Sequence, residues 1–252
     1  MEQIRKPFQG VLNIIRFNWH FYVIAFSLVL ILILIEKNID KSFQSYIFAL
    51  IFLILSSILI SLLTSYYVYD LSGLYKLKWI DSNNKESLII NINAGFDETS
   101  SLLQNKFKNA EFIALDFYNP RTHTEISIKR ARKAYSQFPN TIAIETSNTK
   151  LLDDSVDKIF VILSAHEIRN DIERIIFFKE LKRIIKPNGK IYITEHLRDL
   201  PNFLAYNLGF LHFYSKNSWL HIFKNANLNV RAEIKITPFI STFILNKNGD
   251  TL

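Results

Sequence analysis

No cysteine occurs in the 252 residues, which removes disulfides, thiolate metal sites and cysteine nucleophiles together and fits a reducing compartment. The six histidines are scattered, with no pair spaced to put two ligands on one helix face, so the sequence predicts no metal site. With only six glycines and six prolines there is no low-complexity tract, and no internal repeat is visible. The formal net charge is +7, yet its lysines are dispersed and no basic-aromatic recognition motif accompanies them, which favours an anionic lipid surface over nucleic acid as partner.

What the chain has in abundance is apolar sequence near its start. Trp19 to Ile35 runs almost without interruption, and a second run, Tyr46 to Tyr67, holds only serines and one threonine as polar residues. Each is about long enough to cross a bilayer, and together they predict a transmembrane hairpin. A cleaved leader fits less well, because no small-residue cleavage site follows the first run and a second run does. Arg5, Lys6 and Arg16 before the hairpin, rejoined by Lys76 and Lys78 after it, outweigh Lys37 and Lys41 in the loop. Both termini are therefore expected in the cytoplasm, at the inner membrane. Residues 1–70 form the expected anchor, 71–86 a linker or docking helix, and 87–252 a soluble domain large enough to bury its own core.

The soluble part opens with Ser87 to Pro120, which holds a strand, a turn, a helix and a second strand. Leu88 to Asn93 is β-prone and ends at Ala94-Gly95; Asp97-Glu98-Thr99-Ser100 opens a helix; Phe112 to Leu115 ends on Asp116. In a doubly wound sheet the ligand sits beyond the carboxyl ends of the strands, and an acid about twenty residues after the turn meets the ribose hydroxyls, a spacing that Gly95 and Asp116 satisfy. Further short strands are predicted at Thr141 to Ile144, Val156 to Ser164 and Lys190 to Thr194. A helix is expected from about Asp171 to Lys186, stopped by Pro187-Asn188-Gly189. This alternation predicts an α/β, Rossmann-like, mostly parallel sheet.

Two stretches carry a family resemblance. Leu152-Asp153-Asp154-Ser155-Val156-Asp157 precedes an apolar strand, and Phe178 to Lys190 (FKELKRIIKPNGK) leads into a strand ending Thr194-Glu195-His196. They resemble the fourth strand, following helix and fifth strand of class I S-adenosylmethionine-dependent methyltransferases of the small-molecule type, and Ser218-Trp219-Leu220 looks like the late helix before a closing antiparallel hairpin. The resemblance covers about Ser87 to Asn246 and implies a seven-stranded sheet with S-adenosylmethionine as cofactor. The family's acid-x-Gly-x-Gly-x-Gly turn is replaced here by Asn91-Ile92-Asn93-Ala94-Gly95-Phe96-Asp97, which keeps only the middle glycine and turns the acid into an amide. By the resemblance, Asn91, Asn93, Ala94, Gly95, Asp97, Asp116, Phe117, Glu145 and Ser164 bind the cofactor, with Glu145 near the adenine.

Methyl transfer from a sulfonium needs an acceptor in line and, for a phenol or enol, a group that takes its proton. His166 is the candidate base, with Glu167 or His196 orienting it or sharing the work, since these residues stand at the ends of the predicted fourth and fifth strands. The aromatic-rich segment Asn202 to Tyr214 either covers an apolar acceptor or packs on the hairpin. The expected function is a membrane-anchored methyltransferase for a lipophilic small molecule, quinone-like or an aromatic or polyene metabolite. The alternative is a binding or scaffold protein on the same fold without turnover, for which Asn91, Asn93 and Asp97 argue. A nicotinamide-dependent reductase is disfavoured by the missing three-glycine turn and the absence of any Tyr-x-x-x-Lys.

Overall fold

The computed structural model describes residues 5–82, 85–123 and 125–247; Met1 and Leu252, the termini expected in the cytoplasm, lie outside them. The chain begins with α1 (Gln9–Phe17), α2 (Trp19–Glu36) and α3 (Lys41–Tyr66). α3 starts five residues before the apolar run, because the Asp40 side chain accepts from the Ser42 backbone N–H and caps a polar first turn. Among the described residues, two helices are long and apolar enough to cross a membrane, and little of either is covered by protein.

The exit of α3 is fastened to both neighbours. Both carboxylate oxygens of Asp70 are occupied at the start of α1, accepting from the N–H groups of Gly10 at 2.8 Å and Val11 at 2.9 Å. Only glycine allows this approach, since a Cβ at Gly10 would stand 2.3 Å from the Tyr69 Cβ. Val68 and Leu74 are buried against Ile240, which joins the hairpin to the sheet. The expected docking segment after it forms a short 3-10 turn at Leu74–Lys76.

The sheet contains β1 (Leu88–Asn93), β2 (Glu111–Asp116), β3 (Ile142–Ala143), β4 (Val156–Ile162), β5 (Ile185–His196), β6 (Asn229–Thr237) and β7 (Ile240–Asn246), in the order β3-β2-β1-β4-β5-β7-β6. The first five run parallel and β7 is antiparallel to β5, so the carboxyl ends of β1, β2, β4 and β5 share one edge. Helices α4 (Ser100–Lys106), α5 (Ile126–Ala134), α6 (Asp171–Ile184), α7 (Leu200–Tyr206) and α8 (Lys216–Asn225) connect the strands. Phe177, Phe178, Trp219 and Phe223 are fully buried on one face of the sheet, each contributing about 1.5 to 3 kcal/mol, while Leu77, Leu103 and Phe107 cover the other.

The boundary between α6 and β5 also departs from the sequence prediction. α6 ends at Ile184, and Ile185 already pairs with Val156, so Pro187-Asn188-Gly189 is a bulge inside β5 rather than a turn ahead of it. Burial of Ile185 pulls the backbone into the sheet early, and the extra residues are absorbed before Lys158 pairs with Lys190.

Candidate active site

Beyond β1 the polar side chains of the turn are occupied with one another. Asn91 Nδ2 donates to Thr99 Oγ1 at 3.0 Å, to Ser100 Oγ at 2.9 Å and to Asp97 Oδ1 at 3.3 Å. Asp97 Oδ1 also accepts the backbone N–H groups of Thr99 and Ser100, opening α4 as a helix cap does. Asn93 Oδ1 accepts the Gly95 N–H at 2.9 Å, closing the turn through Ala94, and Gly95 itself has φ +90°. These are scaffold contacts. They leave Asn91 Oδ1 and Asp97 Oδ2 buried with no hydrogen-bond partner, two acceptors suited to a cationic amine.

Asp116, at the end of β2, is buried and its carboxylate is engaged on both oxygens. Oδ1 accepts the Tyr118 N–H at 2.8 Å; Oδ2 accepts Arg132 Nη1 at 2.6 Å and Gln137 Nε2 at 2.7 Å. The Arg132 side chain crosses directly over Gly95, where a Cβ would lie 2.4 Å from its Nη1. It comes from α5 and stacks on Tyr118. Phe117 is buried in the core against Phe177, and Ser164 Oγ donates to the Ile92 carbonyl at 3.0 Å, tying the end of β4 to that of β1. Glu145 is exposed beside β3 and bridges through its backbone to Asn148.

α1 covers this turn. Phe17 meets Phe96 edge-on at 5.5 Å, and Asn13 Oδ1 accepts the Tyr135 hydroxyl at 2.8 Å. Glu98 gathers Arg5 Nη1 at 2.8 Å, Gln9 Nε2 at 3.2 Å and the Tyr75 hydroxyl at 2.8 Å, so the segment before the hairpin is held to the turn after β1.

The ends of β4 and β5 carry the second half of the site. Alternation along β5 sends Glu195 and His196 to opposite faces. Glu195 Oε2 receives His166 Nδ1 at 2.6 Å, and His166 Nε2 lies 3.3 Å from Glu167 Oε1. Burial on its own would lower the His166 pKa, but Glu195 and Glu167 outweigh it and push it up to about 10. His166 is therefore held protonated at neutral pH, contrary to the expectation that it serves as the base.

His196 has the opposite environment. Burial lowers its pKa to about 4, and its neutral ring sits between Asn202 Oδ1, 2.9 Å from Nδ1, and the Tyr69 hydroxyl, 2.8 Å from Nε2. The Asn202 amide group is held by Asp199 Oδ1 and the Phe239 carbonyl, which leaves its oxygen to face the ring. Nδ1 thus carries the proton and Nε2 is the acceptor. Tyr69 also lines a cavity of about 590 Å³ at the junction of hairpin and sheet, together with Phe8, Tyr66 and Tyr75.

The segment after α7 closes over both histidines. His212 meets His166 edge-on at 5.1 Å, and Phe213 stacks on His196 at 4.7 Å. Of the two alternatives expected for Asn202 to Tyr214, packing on the hairpin is observed: Asn207 Nδ2 donates to Ser57 Oγ of α3 at 2.9 Å. Ser57 is nine residues before the end of α3, or about 14 Å along its axis. The spacing arguments missed Tyr69, Arg132 and His212, which only the fold brings to these strand ends, and gave no role to Glu195, which they placed at the end of the fifth strand.

Residues 91–193 match the sequence profile of a family described as a methyltransferase domain. A search of curated proteins finds no match. Among solved structures, the mitomycin 7-O-methyltransferase MmcR superposes with a TM-score of 0.54 at 10% identity, covering 97% of this chain and 74% of that one. The PH0226 protein from Pyrococcus horikoshii OT3 does so with 0.51 at 17% identity, covering 69% and 88%. A SAM-dependent methyltransferase from Aquifex aeolicus follows with 0.49 at 16% identity, covering 75% and 97%. The chain is similar to the first two in fold.

Proposed function

We infer that this chain, an S-adenosylmethionine-dependent methyltransferase of class I, is anchored in a membrane by α2 and α3 and methylates a lipophilic small molecule reached from that membrane. The observation that carries the reading is Tyr69: a residue at the exit of the apolar hairpin reaches His196 at the end of β5. Hairpin and catalytic edge are thus parts of one site. The apolar flanks of α2 and α3 stay largely uncovered, a surface that calls for lipid. Leu200, Leu204, Leu208 and Leu211, on the segment that leans on α3, are exposed beside them and suit the bilayer interface. The lysine and arginine asymmetry supports a cytoplasmic side for the domain.

The residues fit the cofactor once Arg132 retreats from Asp116. Gly95 leaves the backbone bare, Asp116 is placed to accept ribose hydroxyls, and Asn91 Oδ1 and Asp97 Oδ2 are unpaired acceptors for a methionine amine. The cofactor would supply an electrophilic methyl group, displaced in line by the acceptor. His196 Nε2 is neutral and accepts the Tyr69 hydroxyl, so Tyr69 can pass its proton to Nε2 as it takes one from an acceptor hydroxyl. His166, protonated beside Glu195, is not free to take that proton.

The second reading, a fold kept for binding without turnover, is favoured by the Arg132 contact with Asp116. Transfer of tritiated methyl by the full chain in vesicles containing a membrane lipid extract separates the two. Label is expected in the organic phase; label confined to water-soluble products contradicts the lipophilic acceptor, and no transfer favours the binding protein.

A further inference from the structure

We propose that His166, Glu167 and His212 form a binding site for a divalent transition metal on the acceptor side of the catalytic edge. One donor atom from each residue lies within 4.8 Å of the others. The two Nε2 atoms converge on one oxygen, Glu167 Oε1, at 3.3 Å from His166 and 3.9 Å from His212. His166 turns its other nitrogen to an outer carboxylate, Nδ1 to Glu195 at 2.6 Å, while His212 Nδ1 lies 2.5 Å from Arg169 Nη2 and 3.5 Å from Glu125. An imidazole held by a carboxylate on the far nitrogen is the arrangement that orients metal-ligating histidines and raises their basicity.

Glu167 is the second argument. It is 3% exposed, and its Oε2 is buried with no hydrogen-bond partner. A buried carboxylate oxygen left unpaired is costly, and a cation bound by Glu167 would offset that cost. A metal entering there displaces the proton on His166 Nε2 and the guanidinium of Arg169, whose Nη2 lies 2.8 Å from His212 Nε2. Arg169 is about one third exposed, so its guanidinium has open solvent to swing into when the metal enters.

Two imidazoles and one carboxylate suit zinc, cobalt or ferrous iron better than magnesium or calcium, which prefer all-oxygen shells. Three protein ligands leave further positions open. The site's existence does not depend on the methyltransferase reading, but its role does: an open position beside the cofactor edge would hold an oxygen of the acceptor and fix which atom faces the methyl group.

The test uses the purified full chain in detergent and Co2+, whose visible absorption reports ordered nitrogen and oxygen coordination, with Zn2+ as competitor. One Co2+ per chain, a visible band abolished by Zn2+, and loss of both in His212→Ala are expected. Glu195→Gln should retain the site and weaken it about tenfold to a hundredfold, the usual effect of removing an outer partner of a ligating histidine. His221→Ala, an exposed histidine on α8, should bind as wild type and control for surface binding. Absence of saturable binding, or an unchanged band in His212→Ala, would overturn the proposal. Titration with S-adenosylhomocysteine in the same His212→Ala protein keeps a failed metal site distinct from a failed cofactor site.

Discussion

Asp116→Ala is expected to weaken binding of S-adenosylhomocysteine about tenfold to a hundredfold, and Arg132→Ala to tighten it. The first value follows from removing a charged acceptor of two ribose hydrogen bonds, worth about 1.5 to 3 kcal/mol. The second follows from competition: Arg132 Nη1 already holds Asp116 Oδ2 at 2.6 Å, so the cofactor must displace a partly buried ion-pair contact before the ribose can take its place. Calorimetry on the two variants reads both effects. If Arg132→Ala loses affinity as Asp116→Ala does, the arginine stays on the carboxylate in the complex and helps to hold the cofactor.

The larger loss is expected in turnover. His196→Ala should lower single-turnover methyl transfer by about a hundredfold or more, the contribution of a positioned general base, while leaving affinity for S-adenosylhomocysteine near wild type. The effect on pH has a definite sign. The folded pKa of His196 lies at about 4, below its ordinary value of 6.5, so the folded chain binds fewer protons than the unfolded one between these values. Stability from the neutral ring is present above about pH 6.5 and is lost as pH falls towards 4. The wild-type rate should be flat across neutral pH and fall only on the acid side, and the half-life at fixed temperature should shorten over the same window. A limb near pH 6.5 in the single-turnover rate would show that His196 is not the group that titrates.

The parallel sheet was legible because buried parallel strands are written as apolar runs, as Val156 to Ile162 is, and because Asp116 and Glu195-His196 mark the ends of such runs. Boundaries were less legible where burial and turn chemistry compete. Pro187-Asn188-Gly189 reads locally as a stop, yet the buried Ile185 already belongs to β5. Asp40 moved the start of α3 back into polar sequence that apolar counting could not include.

The site was legible only in its local part. His166 and Glu167 stand at the predicted end of a strand, but whether the imidazole is charged depends on Glu195, which comes from a neighbouring strand. The same holds for His196, whose burial comes with partners from the hairpin exit and from α7. The histidines look scattered along the chain, and it is the fold of the 207–214 segment that brings His212 to His166. The altered first turn also reads differently in three dimensions. Asn91 and Asp97 bind each other and the start of α4, and their remaining oxygens are left for a ligand.

Whether this turn, with one glycine and no acid at Asn91, still holds S-adenosylmethionine is the central question, and direct titration of the full-length wild-type chain with S-adenosylmethionine tests it most directly. The account expects saturable binding of one molecule per chain, lost or sharply weakened in Asp116→Ala. A wild-type chain that binds no S-adenosylmethionine, or binds it equally well without the Asp116 carboxylate, would contradict it.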